Sequence, residues 1–273
     1  LVIPFLFLAA AGATALFVVS YRFQSSLIHV NEAKRLENQY RYFLNKIELK
    51  KDVAMSAAWL VAKSPVVAKA FANKDRQRLI ELLHPAYSKL HESYGIKIFH
   101  FHLAPATSFL RLHAPEQYGE IMEKDRPTIV RGIRTGSGVG GLERGLFGFG
   151  IRSVVPVLYK ENQIGTVEIG MSFEQPFLEE FKESFGSDVV LYMEEKPGKE
   201  KLKVFASTSD GGLLPSELLA RCFSSGGTVS YTGSRRGRNV AVIGGPVRDF
   251  SSRIVGVVEI SVDRGSTLAL LKK

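Results

Sequence analysis

The chain runs twice through one short pattern. It reads PVLYKENQIGTVEIGMSF from Pro156 to Phe173 and, about ninety residues later, PVRDFSSRIVGVVEISV from Pro246 to Val262. Each copy closes one β-rich run with Pro-Val, passes through a few turn-forming residues, and starts the next run with Gly-x-Val-Glu-Ile. A strand, a tight turn and a strand occurring twice predict two sheet modules of one kind in tandem. Further alternating or apolar runs surround the copies. GVGGLERG and FGFGIRSVVPVLYK precede the first, and DVVLYM, KVFAST, GTVSYTG and NVAVIGGPV precede the second.

Upstream the period is helical. Tyr21 to Lys63 contains neither proline nor glycine and carries Leu36, Tyr40, Phe43, Leu44 and Ile47 at three- and four-residue spacings, which predicts one long amphipathic helix. At 1.5 Å per residue such a helix reaches roughly 60 Å, more than a compact domain needs, so it can hold a domain away from a surface. Ser64-Pro65 reads as an N-cap followed by proline at the first helical position, opening short helices through Leu90. Before the helix, Leu1 to Val19 carries no charge, close to the length that crosses the ~30 Å bilayer core. It exceeds the apolar region of about 7–15 residues usual in a cleaved signal peptide, so residues 1–20 are expected to be a retained membrane segment, with residues upstream of Leu1 removed.

The formal charge is +9, but the basic residues are spread along the chain among 27 acids, which argues against nucleic acid as a partner. The compact basic cluster SRRGR, Ser234 to Arg238, reads as a solvated turn. Cys222 is the single cysteine, so no intrachain disulfide forms. No G-x-S-x-G elbow or P-loop is present, and SGVGGLERGLFGFG lacks the lysine and helix start of a phosphate loop. That segment reads as strand ends and turns, with Phe147 and Phe149 toward one face. No catalytic residue and no cofactor is expected.

Between helices and repeats lies FHFHLAPATSFLRLHAPEQYGE, Phe99 to Glu120, with three of the six histidines. IKIFHFHL and SFLRLH, joined by Ala104-Pro105-Ala106-Thr107, predict an antiparallel hairpin. Alternation puts Ile98, His100 and His102 on one face, and Phe109, Arg111 and His113 on one face of the second strand. Pairing His102 with Phe109 places His100 opposite Arg111 and Ile98 opposite His113. Tyr118 to Arg134 reads as a helix interrupted near Pro127, which would cap this polar face. Arg111 supplies a donor fork for a carboxylate, with histidines as further donors and Arg144, Arg152, Phe149 and Tyr118 as walls. In the alternative reading Arg111 pairs with Glu143 or Glu168 and the polar face is structural. A zinc site of His100, His102 and His113 has suitable donors, but Arg111 among them would repel the cation, so no metal is expected.

The segments YGIKIFHFHLAPATSFLRLHAPEQYG, FGIRSVVPV and IGTVEIGMSF resemble one subgroup of double Cache extracytoplasmic sensor domains, a resemblance that extends from about Tyr21 to Thr267. It implies an α+β fold, a long N-terminal helix followed by two tandem PAS-like antiparallel sheets. The implied boundaries are 21–63 for the helix, 64–173 for a membrane-distal ligand-binding module, 174–265 for a membrane-proximal module, and 266–273, ending in LALLKK, for the approach to a second span. In that subgroup the segment after the hairpin commonly reads Gly-Asp-Asp-Leu-Ser and then an arginine; here Gly119 is followed by Glu120-Ile121-Met122-Glu123, while Arg126 is present. The candidate ligand-binding set is therefore His100, His102, Phe109, Arg111, His113, Tyr118, Arg126, Glu143, Arg144, Phe149 and Arg152. The resemblance implies a dimeric inner-membrane receptor, most simply a chemoreceptor, whose periplasmic part binds a small organic anion or amino acid. A histidine kinase, a cyclic-dinucleotide enzyme and a structural ectodomain are the alternatives.

Overall fold

A computed structural model describes residues 2–145, 148–196, 198 and 201–269; side chains of residues 3–10 and 266 are not among those described, nor is that of Val2. The expected membrane segment rests largely on those first residues, and Phe147 and the end of LALLKK also lie outside the described residues. Among the described residues no helix is long and apolar enough to cross a membrane.

The long helix is present as α1, Val2–Ala62. Its predicted stripe is real: Leu36, Tyr40, Phe43 and Ile47 are buried. Ser64 stands at the N-cap and Pro65 at the first position of α2, Pro65–Ala72, which α3, Arg76–Tyr94, follows. Gly95 ends α3 in the left-handed conformation that glycine adopts without strain.

Two five-stranded antiparallel sheets follow, with the same strand order. In the first, β1 (Ile96–Leu103), β2 (Thr107–Arg111), β3 (Val139–Gly145), β4 (Gly148–Tyr159) and β5 (Asn162–Ser172) are ordered β2-β1-β5-β4-β3. In the second, β6 (Asp188–Glu194), β7 (Leu202–Ser207), β8 (Val229–Arg235), β9 (Arg238–Arg248) and β10 (Ile254–Asp263) are ordered β7-β6-β10-β9-β8. The sequence repeat thus falls on β4–β5 and β9–β10, as its spacing predicts. The chain divides into two compact units, one of Leu1–Tyr42, Phe181–Pro246 and Val257–Lys273, the other of Phe43–Glu180 and Val247–Gly256.

In the unit that holds the first sheet, Ala54, Ala58 and Ala62 recur every four residues on α1 and pack with Phe71 and Leu79 against Phe99, Phe101, Val167 and Ile169. Small side chains at that spacing let the helix lie close to the sheet. The opposite face carries α4, Pro127–Thr135, over a small cluster of Ala106, Met122, Ile129 and Val154. The expected helix over 118–126 is not formed. This segment runs beside β2 instead: Gly119 N–H donates to Ser108 O, Ser108 N–H to Glu120 O, and Met122 N–H to Ala106 O. Backbone groups spent on that pairing are not available to a helix.

In the other unit, Tyr40 OH donates to Pro246 O at 2.7 Å, and α6, Ser216–Ser225, buries Cys222. Burial pushes the Cys222 thiol up to about 11. The SRRGR cluster is the β8–β9 turn, with positive φ at Arg236 and Gly237 as a two-residue hairpin requires. Arg236 and Arg238 are exposed there, but Arg235 is not a solvated turn residue. It donates to Asp188 Oδ2 at 3.0 Å, Ser261 Oγ at 3.1 Å and Gly211 O at 2.9 Å.

Candidate functional site

Strand alternation on β1 separates Phe99 and Phe101, which enter the core, from His100 and His102, which turn to the other face. His100 stands opposite Arg111 as the alternation predicts. His102 does not meet Phe109: it pairs with Ser108, because Phe109 and Leu110 together oppose Phe101 in a β-bulge. The bulge turns Phe109 into the core, its ring 5.2 Å from that of Phe71, and brings Ser108 to the polar face, where its Oγ is hydrogen-bonded to His100 Nε2 at 2.8 Å. His102 Nδ1 is bonded to Thr166 Oγ1 on β5 at 3.1 Å.

Below these rings lies a buried ion network centred on Glu168, the glutamate of the first repeat. Arg126 Nη2 and Arg152 Nη1 both donate to Glu168 Oε1, at 2.6 and 2.8 Å. Arg126 Nε donates to Glu143 Oε2 at 2.8 Å, and Glu143 Oε1 accepts the Thr128 N–H at 2.8 Å, fastening the start of α4. Burial alone would raise the Glu168 carboxyl, but Arg126 and Arg152 outweigh it and hold it well below the usual carboxylate range. Burial drives His100 well below its ordinary value and lowers His102 as well, so both rings are neutral at pH 7.

The network forms the floor of a cavity of about 80 Å³ bounded by Ile98, His100, Arg111, His113, Met122, Asp125, Arg126 and Arg152. His113 lies beyond the end of β2 at the mouth, where its Nδ1 accepts the Phe99 N–H at 3.3 Å. Arg111 is held differently from the other two arginines. It donates to Gln117 O at 2.7 Å and is paired with Glu120, whose side chain is 43% exposed.

Five predicted residues, His100, Arg111, His113, Arg126 and Arg152, thus line one cavity, with His102 and Glu143 in the adjoining network. Four do not belong to it. Phe109 is in the core, and Tyr118 is exposed with the Arg76 guanidinium over its ring. Arg144 packs over the Phe149 ring where β3 meets β4. Arg111 pairs with neither Glu143 nor Glu168. Glu168 is not among the predicted ligand residues, although the sequence carries a signal for it, a glutamate between apolar residues, Val-Glu-Ile, at the same place in both repeats. The second copy, Glu259, is equally buried but is satisfied by its own unit, accepting N–H bonds from Leu213 at 2.9 Å and Leu214 at 3.0 Å and the Tyr192 hydroxyl at 3.1 Å.

The buried neutral histidines make stability acid-sensitive. Their pKa is depressed by folding, so the unfolded chain takes up protons first as pH falls below about 6.5, and their contribution is present above that value and lost below it. Glu168, also depressed, adds a second loss only as pH falls below the ordinary carboxylate value and through its folded one. In chelator-containing buffer the Tm is expected to fall between pH 7 and 5, and less steeply in a His100→Gln, His102→Gln variant. A parent Tm flat across that window would show that these rings titrate normally.

No curated protein matches the chain. Among solved structures, the fold is similar to the periplasmic domain of Vibrio cholerae LuxQ, at 12% identity and a TM-score of 0.52 over 84% of this chain and 99% of that one. It is similar also to the sensor domain of the V. cholerae histidine kinase DctB, at 13% identity and a TM-score of 0.54 over 88% and 98% of the two chains. The ligand-binding domain of Mlp24 with asparagine aligns at 14% identity and a TM-score of 0.50, over 93% and 99%. At such identities these likenesses speak for the fold. Residues 29–266 match the dCache_3 model, the double sensory domain of two-component sensor kinases, and the chain belongs to that family.

Proposed function

We propose that this double sensory domain is the extracytoplasmic part of a membrane receptor, and that the cavity beside Arg111 binds the carboxylate of a small organic anion or amino acid. The observation that carries the reading is the unequal state of the three arginines. Arg126 and Arg152 are committed to the buried Glu168. Arg111 reaches the cavity wall while its acidic partner is the half-exposed Glu120, on a segment without helix or strand. A ligand carboxylate can replace Glu120 on the same donor fork, whereas displacing Glu168 would strand two buried cations. A cavity of about 80 Å³ is large enough for a carboxylate head.

The output is that of a sensor kinase, the protein class in the family's description, or that of a chemoreceptor, the output expected from sequence, and the two readings are equally supported. The membrane spans, the distal placing of the first sheet and a parallel dimer through α1 belong to the same proposal. They are supported by the uncharged N-terminal run and by the length of α1.

A thermal-shift screen of carboxylates, run with chelator present, tests the ligand. At a hundred times its Kd a true ligand stabilises the fold by about 2.7 kcal/mol. Arg111→Ala is expected to remove most of that shift, Arg111→Lys to weaken it by loss of the bidentate geometry, and Arg236→Ala to leave it intact. Undiminished binding to Arg111→Ala would overturn Arg111 as the carboxylate anchor, and no hit across a broad set would favour a purely structural ectodomain.

A further inference from the structure

We propose that His100 Nδ1, His102 Nε2 and Glu168 Oε2 form a three-ligand site for a zinc-class divalent metal ion, beside the carboxylate cavity and sharing its His100 ring. One ligand atom from each residue lies within 4.8 Å of the others, and all three residues are buried. Glu168 Oε2 is 3.5 Å from His102 Nε2 and 3.9 Å from His100 Nδ1. Ligand atoms of a tetrahedral site with bonds of about 2.0–2.1 Å stand about 3.3–3.4 Å apart, so Glu168 Oε2 has to approach His102 Nε2 by about 0.1–0.2 Å and His100 Nδ1 by about half an ångström.

Two observations point to an ion rather than to a bare polar cluster. First, His102 Nε2 and Glu168 Oε2 face each other fully buried at 3.5 Å, longer than a well-formed hydrogen bond, and neither has any other partner. Second, the other polar atom of each ligand is already held. Ser108 Oγ takes His100 Nε2, Thr166 Oγ1 takes His102 Nδ1, and Arg126 with Arg152 takes Glu168 Oε1. When the two hydroxyls accept the ring N–H groups, the lone pairs of Nδ1 and Nε2 are directed at the free carboxylate oxygen. Such outer hydrogen bonds fix the tautomer and orientation of metal-binding histidines.

Glu259 provides an internal contrast. Its oxygens accept from backbone N–H groups and a tyrosine hydroxyl, with the Arg235 guanidinium 3.6 Å away, and among the described residues no histidine pair stands beside it. The charge objection raised by Arg111 also weakens. Arg111 is paired with Glu120, Arg126 with Glu143 and Glu168, and Arg152 with Glu168, so a dication meets arginines already compensated. His113, the third histidine of the sequence pattern, is engaged by the Phe99 N–H and is not a ligand. Three protein ligands leave a fourth position for water or an anion.

The test uses the whole chain, free of affinity tag, stripped with chelator and titrated with ZnCl₂ and CoCl₂. Expected are about one bound zinc per chain by elemental analysis after dialysis, a raised Tm, and a visible Co²⁺ absorption band of a tetrahedral site. His100→Gln and His102→Gln are each expected to weaken zinc by more than about a hundredfold, while the exposed His84→Gln and the cavity variant Arg111→Ala retain it. Circular dichroism of each variant separates lost binding from lost folding, and Co²⁺ spectra of the parent need no variant at all. No zinc-dependent Tm rise and no Co²⁺ band in the folded parent would overturn the proposal, as would full binding by the double His100→Gln, His102→Gln variant. The carboxylate screen is run in chelator, so failure here leaves that reading standing, and failure there leaves this one.

Discussion

Glu168→Ala is expected to destabilise the unit that carries the first sheet by about 3–5 kcal/mol, because it strands the Arg126 and Arg152 guanidiniums in a site less than 10% exposed. Glu143 still accepts from Arg126, but Arg152 Nε lies 3.7 Å from it and already lacks a hydrogen bond. Replacing the carboxylate together with its cations by apolar groups of similar volume is expected to recover much of the loss, since a buried ion pair offsets its own desolvation poorly. Denaturant unfolding in chelator, followed by circular dichroism, reads this directly. The transition of the unit holding Glu168 shifts, while that of the unit holding Glu259 does not. An unchanged midpoint would mean that water or structural adjustment compensates both guanidiniums, and that the network contributes little to the fold.

Phe101→Ala is expected to cost about 3–5 kcal/mol from the opposite face of the same strand, by opening a cavity among close-packed rings. Phe101 is fully buried, with the Phe71 ring 5.1 Å away and the Phe99 ring 5.8 Å away. Its neighbours in sequence, His100 and His102, face the network, so carboxylate binding to the remaining folded protein should be nearly unchanged. A truncation at Phe101 that abolished binding at full occupancy of the folded state would show that the two faces are coupled. A loss below about 1 kcal/mol would show that α2 and α3 collapse into the space.

The same strand shows how far local patterning reaches. That Phe99 and Phe101 point one way and His100 and His102 the other follows from the pleat of a β-strand and needs no knowledge of the rest of the chain. The stripe on α1, the helix start at Ser64-Pro65 and the doubled strand–turn–strand of the repeats are local in the same sense. The His100–Arg111 pairing is not, because the register at the turn, Leu103 with Thr107 and His102 with Ser108, would set His100 opposite Leu110, and the bulge brings Arg111 there instead.

What the tertiary structure decided is where those faces are met from a distance. One extra residue in β2 moved Phe109 from the polar face to the core and put Ser108 under His100, a shift that alternation cannot register because it interrupts the alternation. Residues 118–126 became a strand-side segment because the backbone of Ala106 and Ser108 took their hydrogen bonds. The sheet order places β1 between β2 and β5, so that Glu168 arrives beneath the histidines from more than sixty residues away, with Arg126 reaching it from the start of α4. Side-chain direction is set by the backbone of a few neighbouring residues, whereas ion pairing in a buried site is set by which strands lie side by side. The sequence by itself therefore determined the elements, their repetition and the polar face, and only the folded chain decided that this face is built around Glu168.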